Sequence, residues 1–394
     1  MSRHDNQTER TAPVNVVDTG SPEDDLRSPA EGTALCLSGG GYRAMLFHVG
    51  ALWRLNEMGF LPRLARISSV SGGSITAGVL GLKWSRLAFD GSGVSGTFEQ
   101  EIVEPLRTLA GKTIDDAAVL GGILLPGAIS EKVAESYRKY LFGTATLQDL
   151  PPDPPRFVIN ATSVQTGALF RFSRPFAADY RVGMIANPAI ELAIAVAASS
   201  AFPPVLSPLK LELDPRSWAP PSGYPSEDLH IEPYLSEAVL TDGGVYDNMG
   251  LETAWKNYRT ILVSNGGGKM QASPEPASDW ARHALRINDI IDNQVRSLRT
   301  RQVIGAFEAG DRHGAYWGIR TAIDDFHLPD ALPCPEDQTL ALAALPTRLK
   351  RLDSVLQERL INWGYAACDA AIRRHLEPAI APPAGFPYPA SGVG

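Results

Sequence analysis

The most informative segment of the chain runs from Thr33 to Met58 and reads TALCLSGGGYRAMLFHVGALWRLNEM. Its opening run, Thr33–Leu37, is typical of a buried strand. Three glycines follow, and from Ala44 onward apolar residues recur at helical spacing. The segment therefore predicts a strand, a tight glycine loop and a helix in direct succession.

The same order of elements is repeated immediately downstream. Ala65–Val70 is predicted to be a strand and Gly72–Leu82 a helix. Strands that alternate with helices indicate an α/β fold with a largely parallel sheet, in which functional sites lie at the carboxyl ends of the strands. We therefore expect the chemistry directly after Leu37 and directly after Val70.

Later parts of the chain add further elements to this pattern. An apolar helix is predicted over Pro188–Ser199, with Asn187 as its N-cap. A proline-rich insertion, 210–233, is expected to form a rim of the site. The remaining predicted strands are Arg156–Thr162, Leu169–Ser173, Glu237–Leu240 and Thr260–Val263, and the remaining predicted helices are Ala281–Phe307 and Thr347–Leu376.

Composition limits the possible classes of function. The chain has 394 residues, is 44% hydrophobic and carries a net charge of −8, so it can form a large core but has no overall positive field for nucleic acid. Its three cysteines suit neither a disulfide framework nor a zinc site. Because no signal peptide and no membrane-spanning run is recognisable, we expect a cytoplasmic protein. No metal or cofactor is expected.

The loop Ser38–Ala44 has the properties of an anion site. Its glycines expose backbone N–H groups beside the positive end of a helix dipole. A dinucleotide site fits poorly because no acidic residue ends the second strand, and a P-loop fits poorly because no Lys-Ser or Lys-Thr pair follows the glycines. The loop predicts a site for a phosphate or an oxyanion, although a plain glycine turn remains open.

A serine on a second sharp turn is the candidate nucleophile. Ser71 lies in SVSGGS, residues 69–74, between a predicted strand and a predicted helix, as in a nucleophile elbow. An ordinary Ser-Gly turn would give the same pattern. Neighbouring parallel strands would however place this turn beside the glycine loop, and acyl transfer requires a nucleophile next to an oxyanion hole.

A third motif, Asp242-Gly243-Gly244, directly follows a predicted strand. A carboxylate at a strand end, with glycines beside it, can act as the base toward Ser71. Asp-Gly is also a common turn, so this motif alone leaves the role of Asp242 open.

Together these motifs resemble those of the patatin-like phospholipases, lipid acyl hydrolases that are related to the catalytic domain of cytosolic phospholipases A. The resemblance covers about residues 33–268 and includes a fourth segment, ASSAFP at 198–203. The chain departs from the family pattern at Ser38, where many members have Asp, at Ala44, where many have Gly, and at Ser69, where the elbow usually has Gly.

The resemblance implies a three-layer fold, in which a largely parallel sheet lies between helices and a helical extension follows at the C-terminus. It also implies hydrolysis of acyl esters of phospholipids or related lipids through an acyl-enzyme, by a Ser-Asp dyad without histidine. The residues that it assigns are Ser71 as nucleophile, Asp242 as base, and Gly39, Gly40, Gly41 and Arg43 at the oxyanion hole.

Two alternatives to a dyad enzyme remain open. A lipid-binding or regulatory pseudoenzyme would use the same pocket without turnover. An α/β-hydrolase triad needs a histidine that follows Asp242 in the sequence. His48 is expected to be packed inside the protein, and the histidines available to a triad are His283, His313, His327 and His375.

The expected organisation is a disordered tail at 1–30, a catalytic domain at 31–268, a helical part packed on it at 269–377 and an irregular tail at 378–394. A bilayer substrate would require transient contact with a membrane surface. The apolar stretch Ala117–Ile129 is too short to span a membrane and predicts either a lid, an interfacial loop or a buried element.

Overall fold

The computed structural model describes residues 29–115, 128–220, 229–268 and 270–394. Nearly all of the predicted tail 1–30 and of the apolar stretch 117–129 lies outside these ranges, as does part of the insertion 210–233. The first strand begins at Ala30, slightly before its predicted start at Thr33.

Within these ranges eleven strands form one mixed sheet. The strands are β1 (Ala30–Leu37), β2 (Leu64–Val70), β3 (Arg156–Ser163), β4 (Leu169–Phe172), β5 (Phe176–Asp179), β6 (Gly183–Ala186), β7 (Leu209–Glu212), β8 (Trp218–Ala219), β9 (Glu237–Asp242), β10 (Tyr258–Asn265) and β11 (His313–Gly318).

The sheet has a parallel and an antiparallel half. Strands β11, β10, β1, β2 and β3 are neighbours in that order and run parallel. Beyond β3 the sheet continues through antiparallel β4, β5, β6 and β8, while β9 pairs with both β3 and β7. The predicted parallel sheet is thus confirmed for the half that contains both loops of interest.

Ten α-helices, joined in places by short 3₁₀ and π turns, accompany the sheet in the described ranges. The helices are α1 (Gly41–Glu57), α2 (Gly72–Lys83), α3 (Glu104–Ala110), α4 (Ala128–Tyr137), α5 (Leu192–Ser199), α6 (Gly244–Asp247), α7 (Glu252–Trp255), α8 (Trp280–Glu308), α9 (Glu336–Ala343) and α10 (Ser354–His375).

Alternate residues of β1 enter two different cores, because successive side chains of a strand point to opposite faces of the sheet. Leu35 and Leu37 lie in the larger core, which includes residues of α1 and α10. Ala34 and Cys36 lie in a smaller core with Val303 of α8. Helices therefore cover both faces of the sheet, which confirms the predicted three-layer α/β fold.

Helix α10 lies directly on α1. A Cβ atom at Gly364 would lie 1.8 Å from the carbonyl oxygen of Phe47, and one at Gly50 would lie 1.9 Å from that of Ile361. Glycine is therefore needed at both positions for the two backbones to come into contact. This crossing ties the C-terminal helix to the helix that follows the glycine loop.

The apolar helix α5 differs from the prediction at its start. It begins at Leu192 rather than Pro188, and Asn187 is not its N-cap but has a left-handed φ of 46°. The intervening residues instead pair with a distant segment, where the Leu147 N–H donates to Ile190 O at 2.9 Å. This long-range pairing replaces the first helical turn that the sequence favoured.

The part of the chain beyond residue 268 also contributes a strand that the sequence analysis did not predict. β11 pairs in parallel with β10 and so extends the sheet at its edge. A strand at this place satisfies N–H and C=O groups of β10 that would otherwise remain unpaired. The described residues beyond 268 therefore contain, besides the helices α8, α9 and α10, a strand that belongs to the central sheet.

Candidate active site

The glycine loop and the serine turn lie side by side, as the sequence predicted. β1 and β2 are parallel neighbours in which Leu37 is paired with Ser69, so the loops that follow them leave the sheet at the same edge. The loops touch, because a Cβ atom at Gly72 would lie 2.3 Å from the carbonyl oxygen of Gly41.

Strand pairing also brings Asp242 to Ser71. β2 runs parallel and β9 antiparallel to the same strand, β3, with Val70 paired to Asn160 and Asp242 paired to Ala161. Because Asn160 and Ala161 are consecutive, the carboxyl ends of β2 and β9 meet head to head beside β3. The side chain of Ser71 comes close enough to Asp242 at this junction to lower the pKa of its carboxyl group.

Ser71 has the backbone conformation of a sharp elbow. Its φ of 51° and ψ of −118° lie in a region that non-glycine residues rarely adopt. Such a conformation costs about 1–3 kcal/mol and persists only where surrounding contacts hold it. Ser69, which stands where the usual motif has glycine, is buried, and its hydroxyl donates to Val158 O at 3.3 Å.

Ser199, from the segment 198–203, supplies contacts that hold the elbow. Its hydroxyl accepts the Ser71 N–H at 2.9 Å and donates to Asn160 O at 2.6 Å. Its carbonyl oxygen accepts the Gly243 N–H at 3.2 Å. One residue of the fourth motif therefore connects the turn of Ser71 to the turn that follows Asp242.

The carboxyl group of Asp242 is buried and has a strongly altered acidity. Its pKa is raised from 3.8 to about 7. Burial is the main cause and the negative charge of Asp292 adds to it, while hydrogen bonds from the Gly244 N–H and the Ser71 side chain act in the opposite direction. The Gly244 N–H lies 2.7 Å from Oδ1. A group with a pKa near neutrality can both take up and release a proton at physiological pH.

The glycine loop offers two backbone donors rather than three. Gly39 N–H donates to Asn248 O at 2.9 Å, and Tyr42 N–H donates to Arg348 O at 3.0 Å. In the described ranges no acceptor bonds the N–H of Gly40 or Gly41, whose φ angles are 144° and 60°. The predicted role of Gly39 thus changes, since its N–H fixes the loop and is not available to an anion.

Arg43 is buried in the first turn of α1, and protein acceptors occupy its guanidinium. Nε donates to Gly266 O at 3.1 Å, Nη2 donates to the Thr347 hydroxyl at 3.1 Å, and Nη1 donates to Leu345 O. Burial lowers its pKa to about 10. A Cβ atom at Gly40 would lie 3.0 Å from Nη2. Arg43 therefore brings a positive charge to the loop while it anchors two other segments.

Two segments that the sequence analysis did not assign to the site also close it. Arg348 lies so near that a Cβ atom at Gly41 would be 2.5 Å from its carbonyl oxygen. On α8, Arg296 donates to Gly268 O at 2.6 Å and forms a 2.9 Å ion pair with Asp292. No local motif marks these residues, because they reach the site only through tertiary packing.

Ser71 and Asp242 have no histidine partner among the described residues. His48 is buried, bonds to Ser38 O at 2.9 Å and to the Ser264 hydroxyl at 2.8 Å, and burial lowers its pKa to about 4. In the part of the chain that is described, no histidine hydrogen-bonds to Ser71 or Asp242. The exposed histidines include the four available to a triad, His283, His313, His327 and His375.

The described residues offer neither a metal site nor a membrane-spanning helix. No group of three or more His, Cys, Asp or Glu side chains there is arranged to hold a metal ion. Among the helices described, none combines the length and the apolar character that crossing a membrane requires.

Comparison with protein families gives a match to the patatin-like phospholipases over residues 35–255. A search of curated proteins returned no significant match. Among solved structures, human GIVD cytosolic phospholipase A2 is 11% identical with a TM-score of 0.48, and the alignment covers 89% of this chain and 62% of that one. VipD from Legionella pneumophila is 14% identical with a TM-score of 0.34, covering 88% of this chain and 67% of that one. At these identities the likeness concerns the fold alone, and the chain spans less than two thirds of the length of the human protein.

Proposed function

This chain belongs to the patatin-like phospholipase family, and we propose that it hydrolyses acyl ester bonds of phospholipids or related lipids through an acyl-enzyme. The observation that carries this proposal is the buried pair formed by Ser71 and Asp242. A hydroxyl on a strained turn faces a carboxyl group whose pKa is about 7. These are the two groups that nucleophilic acyl transfer needs.

In the first half-reaction, Asp242 takes the proton of the Ser71 hydroxyl as its oxygen attacks the ester carbonyl carbon. The tetrahedral intermediate carries its negative charge on the former carbonyl oxygen. The N–H groups of Gly40 and Gly41 would bind this oxyanion, and the charge of Arg43 would lower its energy. When the intermediate collapses, Asp242 returns the proton to the departing alcohol and the acyl group stays on Ser71.

In the second half-reaction, water replaces the alcohol. Asp242 takes a proton from the water, whose oxygen attacks the acyl carbon, and the same donors bind the second oxyanion. Collapse breaks the bond to Ser71, which regains its proton from Asp242, and a free fatty acid is released. A base with a pKa near 7 is matched to both proton transfers.

Neither alternative is favoured by a specific observation. A pseudoenzyme would bind lipid without a need for the strained conformation of Ser71, which costs about 1–3 kcal/mol. A triad would need a histidine beside Asp242, whereas those that follow it in the sequence are exposed.

A fluorophosphonate probe tests the proposal directly. We expect it to label one residue, Ser71, which fragmentation mass spectrometry separates from Ser69 and Ser74 in the same peptide. Ser71→Ala should prevent labelling and abolish release of fatty acid from phospholipid vesicles, with an unchanged melting curve. Label on another serine, or turnover retained in folded Ser71→Ala, would overturn the assignment. Labelling without any lipid turnover would favour the pseudoenzyme.

A further inference from the structure

The carboxamide of Asn248 is a polar group beside the dyad that the acyl-transfer steps leave unused. Asn248 directly follows α6, and its backbone carbonyl accepts the Gly39 N–H. Its side chain is half-buried and forms no hydrogen bond in the part of the chain that the structure describes. Partly buried polar groups normally have a partner, so this carboxamide is available to a water molecule or a ligand.

Two motif glycines make room for the carboxamide. A Cβ atom at Gly39 would lie 2.5 Å from Asn248 Oδ1 and 3.2 Å from Ser71 Cβ. A Cβ atom at Gly244 would lie 2.6 Å from the same Oδ1 and 3.0 Å from Asp242 Oδ1. A side chain at either glycine would displace the carboxamide, whose oxygen therefore lies beside both members of the dyad.

The chain on both sides of Asn248 is fixed. The buried carboxylate of Asp247 accepts the N–H of Met249 at 3.2 Å and the N–H of Glu252 at 2.7 Å. Arg299 Nε lies 3.8 Å from Asp247 Oδ1. The carboxamide is thus held in place before any substrate arrives, which a group that orients a reactant requires.

The orientation of the carboxamide indicates what it binds. Its oxygen lies toward Gly39 and Gly244, whereas Nδ2 lies on another side, 3.2 Å from the position of a Cβ atom at Gly267. An acceptor oxygen would repel an oxyanion, so Asn248 does not complete the oxyanion hole. It suits a reactant that donates a hydrogen bond.

The water of the second half-reaction is such a reactant. It has two hydrogens, of which Asp242 takes one, and a second acceptor is needed to fix the direction of its lone pair. One water can bond to two oxygens that are up to about 6 Å apart. The oxygens Asn248 Oδ1 and Asp242 Oδ1 meet this limit, because both lie within 3.0 Å of one point, the Cβ position at Gly244.

We propose that Asn248 orients the water that hydrolyses the acyl-enzyme. Its Oδ1 accepts a hydrogen bond from one O–H of the water. The other O–H bond breaks as its proton passes to Asp242 and the water oxygen bonds to the acyl carbon. Collapse then breaks the bond to Ser71 Oγ, which takes the proton from Asp242. This role rests on the proposed function, because it needs an acyl-enzyme on Ser71.

Competition between water and methanol for the acyl-enzyme tests the role of Asn248. Methanol has one O–H hydrogen, like the Ser71 hydroxyl, so it needs Asp242 but no second acceptor. From a short-chain nitrophenyl ester in buffer with methanol, hydrolysis yields the acid and methanolysis the methyl ester. Asn248→Ala should raise the ratio of methyl ester to acid by about tenfold, because only water loses a hydrogen bond. Folded molecules alone form product, so the ratio does not depend on the stability of the variant.

The separate rates must change in a matching way. With enzyme in excess, release of nitrophenol measures acylation, and Asn248→Ala should keep the wild-type rate constant. Hydrolysis of the acyl-enzyme should slow by about tenfold, so that acylated Ser71 accumulates in intact-mass spectra, with or without methanol. Loss of acylation in the folded variant, or a ratio that rises only through faster methanolysis, would overturn the role of Asn248.

Two further variants serve as controls. Asn248→Asp keeps an acceptor oxygen in place and should keep the wild-type ratio, since both nucleophiles use the same base and its ionisation cancels. Asn257→Ala removes a partly buried amide that donates to Thr253 O at 2.9 Å, at the end of β10 remote from the site. It should also leave the ratio unchanged. Ser71→Ala measures the uncatalysed background.

The same measurements separate this role from the proposed function. Wild-type protein that releases neither nitrophenol nor acid from any ester would overturn both. Normal turnover with equal ratios and equal levels of acyl-enzyme in wild type and Asn248→Ala would overturn the role of Asn248 alone and leave the dyad standing.

Discussion

The Ser71 N–H donates a 2.9 Å hydrogen bond to the hydroxyl of Ser199, a residue 128 positions further along the chain. The same hydroxyl donates to Asn160 O on β3. The contact holds the strained elbow against the strand that also positions Asp242. Ser199 is therefore a positioning residue, which acts on the candidate nucleophile through its backbone.

Ser199→Ala should lower kcat for a soluble ester by about tenfold or more, because it leaves the buried Ser71 N–H unpaired at a cost of about 1–3 kcal/mol. KM should change little, since the buried hydroxyl bonds to protein groups. Ser200→Ala is the control, because its hydroxyl bonds to Val196 O and Tyr137 instead. Steady-state kinetics and melting curves of both variants provide the measurement, and equal kcat values would contradict the positioning role.

Asp242→Asn should reduce the acylation rate by about 10²- to 10⁴-fold, because an amide cannot accept the Ser71 proton. Single alanine variants of His283, His313, His327 and His375 should each keep most activity. A folded histidine variant as inactive as Ser71→Ala would instead support a triad.

Stability measurements show whether Asp242→Asn is folded. Burial favours the protonated form of Asp242, whose pKa rises from 3.8 to about 7, so ionisation destabilises the native state as pH rises through this interval. The asparagine variant cannot ionise. Its stability relative to wild type should therefore increase between these pH values and then level off.

The pH profile of kcat/KM should report the same group. Activity should rise with pH through a midpoint near 7, because only the ionised Asp242 accepts a proton. Asp292→Asn should move the midpoint to lower pH, since the negative charge of Asp292 raises the pKa of Asp242. Asp289→Asn, an exposed change on the same helix, should leave it in place. An unchanged midpoint in Asp292→Asn would show that this charge does not reach the dyad.

The elements that the sequence predicted best are those with local signals. The helix predicted over Gly72–Leu82 extends over Gly72–Lys83, because a glycine turn marks its start and apolar periodicity its length. The order of strands and helices then placed the glycine loop and Ser71 at one edge of the sheet. The role of Asp242 as the base followed only from the family resemblance, because an Asp-Gly pair after a strand is also a common turn.

What the sequence could not predict depends on contacts between distant segments. The start of α5 at Leu192 depends on pairing of its preceding residues with the chain near Leu147. The bond that occupies the Gly39 N–H depends on Asn248 O, and closure of the loop depends on Arg348 O. None of these backbone acceptors has a side-chain signature, so composition and spacing give no sign of them.

The crossing of α1 and α10 leads to a prediction about stability. Gly364→Ala should destabilise the protein by about 3 kcal/mol, because the added methyl group meets the carbonyl of Phe47 and the helices must separate. Gly305→Ala on α8 is the control, since nothing lies within 4 Å of a Cβ atom there. It should stabilise by about 0.5–1 kcal/mol through helix propensity. Urea unfolding of both variants measures the difference, and equal midpoints would contradict the close crossing.

Substitution of Arg43 distinguishes two roles for its charge, which are stabilisation of the oxyanion and binding of a lipid phosphate. Its Nε, Nη1 and Nη2 all donate to protein acceptors, which favours an electrostatic role at the adjacent loop over a direct contact with phosphate. Arg43→Gln should therefore lower turnover on a neutral short-chain ester and on a phospholipid alike, by about ten- to a hundredfold.

The control for this substitution is Arg54→Gln on the same helix, whose guanidinium is buried against Asp369 away from the loop. It should reduce stability but leave turnover per folded molecule unchanged. Kinetics on both substrates decide between the roles. If Arg43→Gln spared the neutral ester and affected only the phospholipid, the guanidinium would be assigned to the phosphate, because the oxyanion is common to both reactions and the phosphate is not.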